Sequence, residues 1–196
     1  MDREERFIVF MIGLFIHEQG SGHANILIYD KKLNIMERFD SEGVIYLNMM
    51  DDFDEFLKNK FKKLVNREGF KYISPKDYGI INSFQKLSDE INTLKRKTGD
   101  VKGFCQAWVF WYVEMRILNK DIHPLKLVEK LLSKLIKMNS SILEYIRNYA
   151  NDLRKKVYDF MIKSNIDPKL INNETYPDYV YKIMANSSIQ LIEKSI

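Results

Sequence analysis

Three side chains in this 196-residue sequence have the types that nucleophilic catalysis requires: the imidazole of His23, the carboxylate of Asp40 and the single thiol, Cys105. A thiolate can attack a carbonyl carbon while an imidazole takes and returns the proton. A carboxylate can hold that imidazole in one tautomer and stabilise its charged form. Spacing decides whether the three can meet. His23 opens the apolar run Ala24–Tyr29, and Asp40 closes the next run, Asn34–Phe39. If Lys31 and Lys32 centre the turn between them, the runs pair antiparallel with His23 opposite Asp40, their Cβ atoms about 4.5–5.5 Å apart on one face. Cys105, in Gly103-Phe104-Cys105-Gln106-Ala107-Trp108, falls in the first turn of a predicted helix whose inward stripe continues through Trp108, Tyr112 and Met115. Unpaired N–H groups and the positive end of the dipole favour a thiolate there.

Taken singly, each residue has a commoner use. A cysteine on an apolar helix face is usually a small core hydrophobe, a histidine near glycines is usually a turn or core residue, and an Asp after a strand is commonly a turn former. Coincidence carries the catalytic expectation: the acid falls in register with the histidine, and the only thiol falls at a helix start. Glu37 is a rival acid, but the same register sets it opposite Ile26. His17-Glu18 with His23 lacks the spacing of a zinc-binding HExxH helix. Gly20-Ser21-Gly22 lacks the Lys-Ser/Thr ending of a phosphate loop, and His123 before Pro124 reads as a helix-start residue. Asn139, Asn173 and Asn186 match the glycosylation acceptor pattern, which is idle inside a cell.

The elements that must position these residues follow from periodicity. Phe7–Ile16 reads as a buried central strand, and Ala24–Tyr29 and Asn34–Phe39 complete a meander. Residues 51–65 switch to helical spacing, a short strand is expected at Phe70–Ile73, and helices are expected near 104–118, 124–138, 140–163 and 177–194. The expected class is α+β: a small mixed or antiparallel sheet with packed helices and a helical C-terminal third. One domain is expected over 1–196, its chemical motifs within 1–120 and a helical extension, 121–196, packed on it.

Composition agrees with a globular chain: 45% hydrophobic, 13% aromatic and 30% charged residues, with only 8 Gly and 4 Pro. Residues 1–60 are net acidic and 61–196 net basic, but the lysines of the basic part fall at solvent-facing helical spacing, so nucleic acid is not the expected partner. A single cysteine allows no intramolecular disulfide and implies a reducing, cytoplasmic setting. The Phe7–Ile16 run is half a membrane span and follows a net acidic segment, so neither a membrane association nor a secretory signal is expected. No metal or organic cofactor is expected.

His23 in Gly22-His23-Ala24-Asn25, an acid 17 positions later and a cysteine opening a Trp-bearing helix resemble the adenain and ubiquitin-like-protein-protease group of cysteine peptidases, in which His precedes the acid and the acid precedes Cys. The strings GHANILIYD, ERFDSEG and GFCQAWVFWYVEMR look like the version encoded by large DNA viruses of eukaryotes, where the acid follows an Arg-Phe pair and Trp comes three residues after the cysteine. The resemblance covers roughly residues 7–120. It implies a cysteine-proteinase-like fold and thiol-dependent hydrolysis of a peptide or isopeptide bond, with a ubiquitin-like conjugate or a viral precursor as protein substrate. It also implies an oxyanion-hole glutamine, for which Gln85 is the candidate and Gln19 and Gln106 are rivals. Trp108 and Trp111 are core residues or walls of a narrow groove for a small-residue tail. Two other functions fit the same residues: acetyl transfer by the same triad, and a catalytically idle binding module.

Overall fold

The strand-forming first part of the chain and its helical remainder make an α+β fold, seen in a computed structural model that describes residues 5–16, 21–43, 47–79, 83–90, 103–138 and 142–172. Four strands, β1 (Phe7–Ile16), β2 (Ser21–Asp30), β3 (Ile35–Asp40) and β4 (Lys71–Ile73), form one sheet in that order. The β1–β2 and β2–β3 pairs are antiparallel and β3–β4 is parallel. The helices are α1 (Leu47–Val65), α2 (Phe84–Ser88), α3 (Cys105–Leu118), α4 (Pro124–Lys137) and α5 (Ile142–Lys163), with 3-10 turns at Pro75–Tyr78 and Pro168–Asn172. Arg6–Tyr149 make one compact unit, and the chain from Ala150 onward belongs to a second. In the second, α5 stops where Asn165 turns left-handed at φ 56° and the Ile166 N–H returns to the Met161 carbonyl at 2.8 Å. The expected helix at 177–194 lies outside the described residues. Among the described residues no helix is long and apolar enough to cross a membrane.

Two expectations are corrected. The first is the place of β1, which is an edge strand rather than a central one. Ile8, Val9, Phe10 and Met11 are 39–49% exposed, and the strand is held on one side by Ile12 against the core and by Phe10 against the Phe61 ring. The central strands are instead the ones that carry charge. All six residues of β3, including Glu37, Arg38 and Asp40, are buried.

The second correction is the hairpin register, in which Asp40 pairs with Asn25 and Asp30 with Ile35. The turn has four residues, 31–34, because the Asp30 Oδ1 gathers the N–H groups of Lys32 and Leu33 at 3.0 and 3.2 Å and Asn34 adopts a left-handed φ of 56°. His23 therefore lies diagonal to Asp40, not opposite it. The displacement is two residues, so the period of the pleat keeps both side chains on one face.

That face meets α1. Leu27, Tyr29, Met36 and Leu57 form its core, with Phe53, Phe61, Val65, Phe70 and Tyr72 against them. Within it the buried Arg38 binds Asp54 of α1 through two hydrogen bonds, at 2.7 and 2.8 Å, and Asn25 Oδ1 at 2.5 Å. The opposite face meets α3. Phe39 stacks on Tyr112 with ring centroids 3.9 Å apart, and Phe84 fits edge-on to Phe39 and beside Trp108.

Polar groups fix the angle of α3 on this face. Arg116, with no exposed surface, donates to Glu37 Oε1 at 2.7 Å and to Asp30 Oδ2 at 2.9 Å, while Tyr112 donates to Glu37 Oε2 at 2.6 Å. Arg6 completes the charge balance by binding Asp30 at 2.7 and 2.9 Å. Arg116→Ala leaves two buried carboxylates without their shared cation, which destabilises by about 3–5 kcal/mol. Arg6→Ala, with Arg116 still in place, should cost less. Denaturant unfolding of both variants checks the order, and equal losses would contradict the buried network as described.

Candidate active site

The four residues expected to carry chemistry come from four different elements that converge at one end of the sheet. β2 runs to Ser21 while β3 ends at Asp40, so His23 lies beyond the last β2–β3 pair. Its Nε2 donates to Asp40 Oδ1 at 2.7 Å. Asp40 is held in turn: Oδ1 also accepts the Glu42 N–H at 2.8 Å, and Oδ2 lies 3.6 Å from the Arg38 guanidinium. With Nε2 occupied in this way the other ring nitrogen, Nδ1, lies 3.7 Å from Glu42 Oε2.

Cys105 is the first residue of α3 and is half-buried. Its thiol is near enough to the His23 imidazole and to the N–H groups of Ala24 and Gln106 to feel each of them electrostatically. Burial pushes the thiol pKa up, but the His23 hydrogen bond, the Ala24 N–H, the imidazole's charge and the Gln106 N–H together bring it below the ordinary thiol value. Burial likewise opposes charge on His23, but the hydrogen bonds to Asp40 and Cys105 and the charges of both outweigh it, raising its pKa to about 10. The two shifts point the same way, toward a thiolate–imidazolium pair.

Gln85, the expected glutamine, is in α2 beside Ser41. Its backbone N–H donates to the Ser41 carbonyl at 3.2 Å, its Oε1 accepts the Ser41 hydroxyl at 3.2 Å, and its Nε2 would lie 3.9 Å from a β-carbon placed on Gly103. Gln106 is exposed and contributes its N–H only, and Gln19 lies outside the described residues. Glu37, the rival acid, faces away from His23 and is committed to Arg116, Tyr112 and Tyr78. Trp108 and Trp111 are 0% and 3% exposed and pack edge to face, which makes both of them core rather than groove wall. His123 stands at the start of α4, apart from the cluster.

Sequence reasoning missed the residues that support these four. Arg38 and Asn25 share a face with His23 and Asp40 at period two, a signal available in the strings ERFD and HAN. Ser41 next to the acid and Glu90, whose carboxyl accepts the Phe104 N–H at 3.1 Å, left no spacing signal. Among the described residues no group of three or more His, Cys, Asp or Glu side chains is arranged to hold a metal ion.

No protein-family description matches the chain, and no solved structure matches it. It is similar to a protein of Acanthamoeba polyphaga mimivirus that bears an ankyrin repeat name, 30% identical over 187 residues that cover 89% of this chain and 24% of that protein. It is also similar to Endonuclease GajA of Bacillus cereus, 26% identical over 175 residues covering 82% of this chain and 29% of that protein. The chain thus spans about a quarter of the length of the curated relatives it matches. Its own sequence has no internal repeat.

With one cysteine, every thiol adduct reports on Cys105. Alkylation by iodoacetamide, read by intact mass, should inflect below the free-thiol value of about 8.5. His23→Ala should move the inflection upward by about one unit or more, and Asp40→Asn should move it the same way by less. An inflection at or above the free-thiol value in the unaltered protein would contradict the ion pair.

Proposed function

We propose that this chain is a cysteine peptidase of the adenain and ubiquitin-like-protein-protease type, hydrolysing a peptide or isopeptide bond in a protein substrate. The observation that carries the proposal is the 2.7 Å hydrogen bond between His23 and Asp40 near the only thiol, which stands at the start of a 14-residue helix. Two further features support it. The order His, acid, Cys along the chain is the order of that group, and the similarity to a mimivirus protein fits the version found in large DNA viruses.

In the proposed reaction the Cys105 thiolate attacks the scissile carbonyl carbon, forming a C–S bond and moving the carbonyl electron pair onto oxygen. The Gln85 amide and the N–H of Cys105 receive that oxyanion. Collapse of the tetrahedral species breaks the C–N bond as the His23 imidazolium gives its proton to the leaving amine. Neutral His23 then takes a proton from water, whose hydroxide cleaves the thioester, releasing a carboxylate and restoring the thiolate–imidazolium pair. Asp40 keeps His23 oriented throughout. The substrate is a ubiquitin-like conjugate or a viral precursor, in a reducing cytoplasmic setting where the thiol stays free.

Fluorogenic amides placed on Gly-Gly tails, and isopeptide-linked ubiquitin-like conjugates, test the proposal. Cleavage is expected and should vanish in Cys105→Ala. Gln85→Ala should lower kcat by about 10²–10³ with little change in KM, the signature of a donor used in the transition state. Thioester formation with acetyl-CoA and no amide cleavage would make the chain an acetyltransferase. Binding of a ubiquitin-like protein that survives Cys105→Ala, with no turnover by the unaltered protein, would make it a binding module.

A further inference from the structure

Ser41 stands immediately after Asp40 and is fully buried, yet the reaction just described gives it no part. A tight turn at the end of β3 fixes its place. The Asp40 Oδ1 accepts the Glu42 N–H at 2.8 Å, the Gly43 N–H returns to the Asp40 carbonyl at 3.2 Å, and Gly43 takes the left-handed φ of 73° that glycine adopts without strain. The carboxylate that orients His23 therefore also braces the backbone that carries Ser41.

Two hydrogen bonds join Ser41 to Gln85. The Gln85 N–H lies in the first turn of α2, where a helix leaves it without a partner of its own, and it donates to the Ser41 carbonyl at 3.2 Å. The Ser41 hydroxyl donates to Gln85 Oε1, also at 3.2 Å. Phe84, the preceding residue, is buried against the Phe39 and Trp108 rings, so an aromatic anchor holds α2 beside this double attachment.

A half-buried glutamine can satisfy its amide with water in many orientations, since its side chain has three torsions. The bond to Ser41 selects one of them. With Oε1 turned to the hydroxyl, both amide N–H donors are at the other end. That end, Nε2, is 3.9 Å from the position a β-carbon would take on Gly103, two residues before the nucleophile.

We propose that Ser41 is a positioning residue for the oxyanion hole, its hydroxyl holding the Gln85 side chain so that the N–H end of the amide is presented to the forming oxyanion. A donor held in advance needs no reorganisation when the charge develops, whereas a reversed amide would set an oxygen against it. Asp40 and Ser41, neighbours in one turn, thus orient the base and the oxyanion donor respectively. The proposal rests on the peptidase function above and on the part Gln85 takes in it.

Two thiol reagents separate the hole from the thiolate. p-Nitrophenyl acetate acylates Cys105 through a tetrahedral oxyanion: a C–S bond forms, the ester C–O bond breaks, and the electron pair leaves with p-nitrophenolate. Iodoacetamide alkylates the same thiolate by displacing iodide, with no oxyanion. With Cys105→Ala as the blank, the ratio of the two rate constants at one pH cancels the thiolate fraction and reports the hole. Ser41→Ala should lower this ratio roughly tenfold, less than Gln85→Ala does, and should change it no further once Gln85 is already alanine. The pH inflection of iodoacetamide alkylation should be the same in Ser41→Ala as in the unaltered protein. With side-chain amide nitrogens labelled, NMR relaxation of the Gln85 amide, assigned by its loss in Gln85→Ala, should show an ordered group in the unaltered protein and a mobile one in Ser41→Ala.

An unchanged ratio in Ser41→Ala, an equal fall with and without the Gln85 side chain, or an inflection moved as in Asp40→Asn overturns the role of Ser41. If Ser41→Ala does not fold, the unaltered protein still decides: a freely moving Gln85 amide there overturns the proposal and an ordered one upholds it. Fast alkylation with a ratio that Gln85→Ala leaves unchanged removes the roles of Gln85 and Ser41 but not the peptidase function. Alkylation at pH 7 no faster than that of a free thiol removes the peptidase function and this proposal together.

Discussion

The guanidinium of Arg116, buried between Glu37 and Asp30, is the constraint on which the geometry of the site depends. It lies near the end of α3, and Cys105 is that helix's first residue, so the rotation and tilt that Arg116 imposes are felt at the sulfur. Apolar packing alone would hold α3 against the sheet but would tolerate sliding, because aromatic surfaces such as Phe39 on Tyr112 offer many similar contacts. Two carboxylates from adjacent strands, sharing one planar cation, accept a single placement. Removing one partner of such a buried group costs about 3–5 kcal/mol, although replacing all of it by apolar side chains is often near neutral. Position, more than net stability, is what the network contributes.

The other face of β3 repeats the device. Arg38 binds Asp54 of α1, Asn25 of β2 and, at longer range, Asp40, so the acid that orients His23 is itself oriented by a buried cation. β3 thus carries Glu37 to fix the nucleophile's helix and Arg38 to fix the orienting acid, on opposite faces of one strand. Ser41, the next residue after Asp40, extends the chain of contacts to Gln85, and Glu90 holds the N–H of Phe104, the residue before Cys105. Each side chain proposed to touch a substrate is therefore backed by a second, buried one, which is the condition for a preorganised site.

Much of this was legible in the sequence. The ten-residue apolar run gave the bounds of β1, and helical spacing gave α1, α3, α4 and α5 to within a few residues. His23, Asp40 and Cys105 stand out by type and period; the structure joins His23 to Asp40 by a hydrogen bond and sets Cys105 at the first position of α3. What failed did so for identifiable reasons. The run 7–16 reads as central because it is the most apolar, whereas charged β3 is central because its charges are neutralised by residues far along the chain, such as Arg116, that no local pattern announces. The register was displaced by two because the side-chain capping of the turn by Asp30 and the left-handed Asn34 lengthen the loop, a choice invisible to a rule that counts from the centre of a lysine pair. Glu90 was illegible because its hydrogen bond from the Phe104 N–H joins residues that no local pattern relates.

The proposed chemistry depends on a His23 that is charged at neutral pH beside Cys105, and the ionisation of His23 is its most direct test. With imidazole carbons labelled, NMR titration of the unaltered protein, with His23→Ala used to assign the resonance, follows that ring alone. The His23 resonance is expected to stay in its protonated position through neutral pH and to titrate near 10. In Cys105→Ser its midpoint should fall but remain above about 6.5, the ordinary histidine value, because Asp40 still holds Nε2. A His23 that titrates at or below that ordinary value in the unaltered protein, and does not respond to Cys105→Ser, would contradict the ion pair.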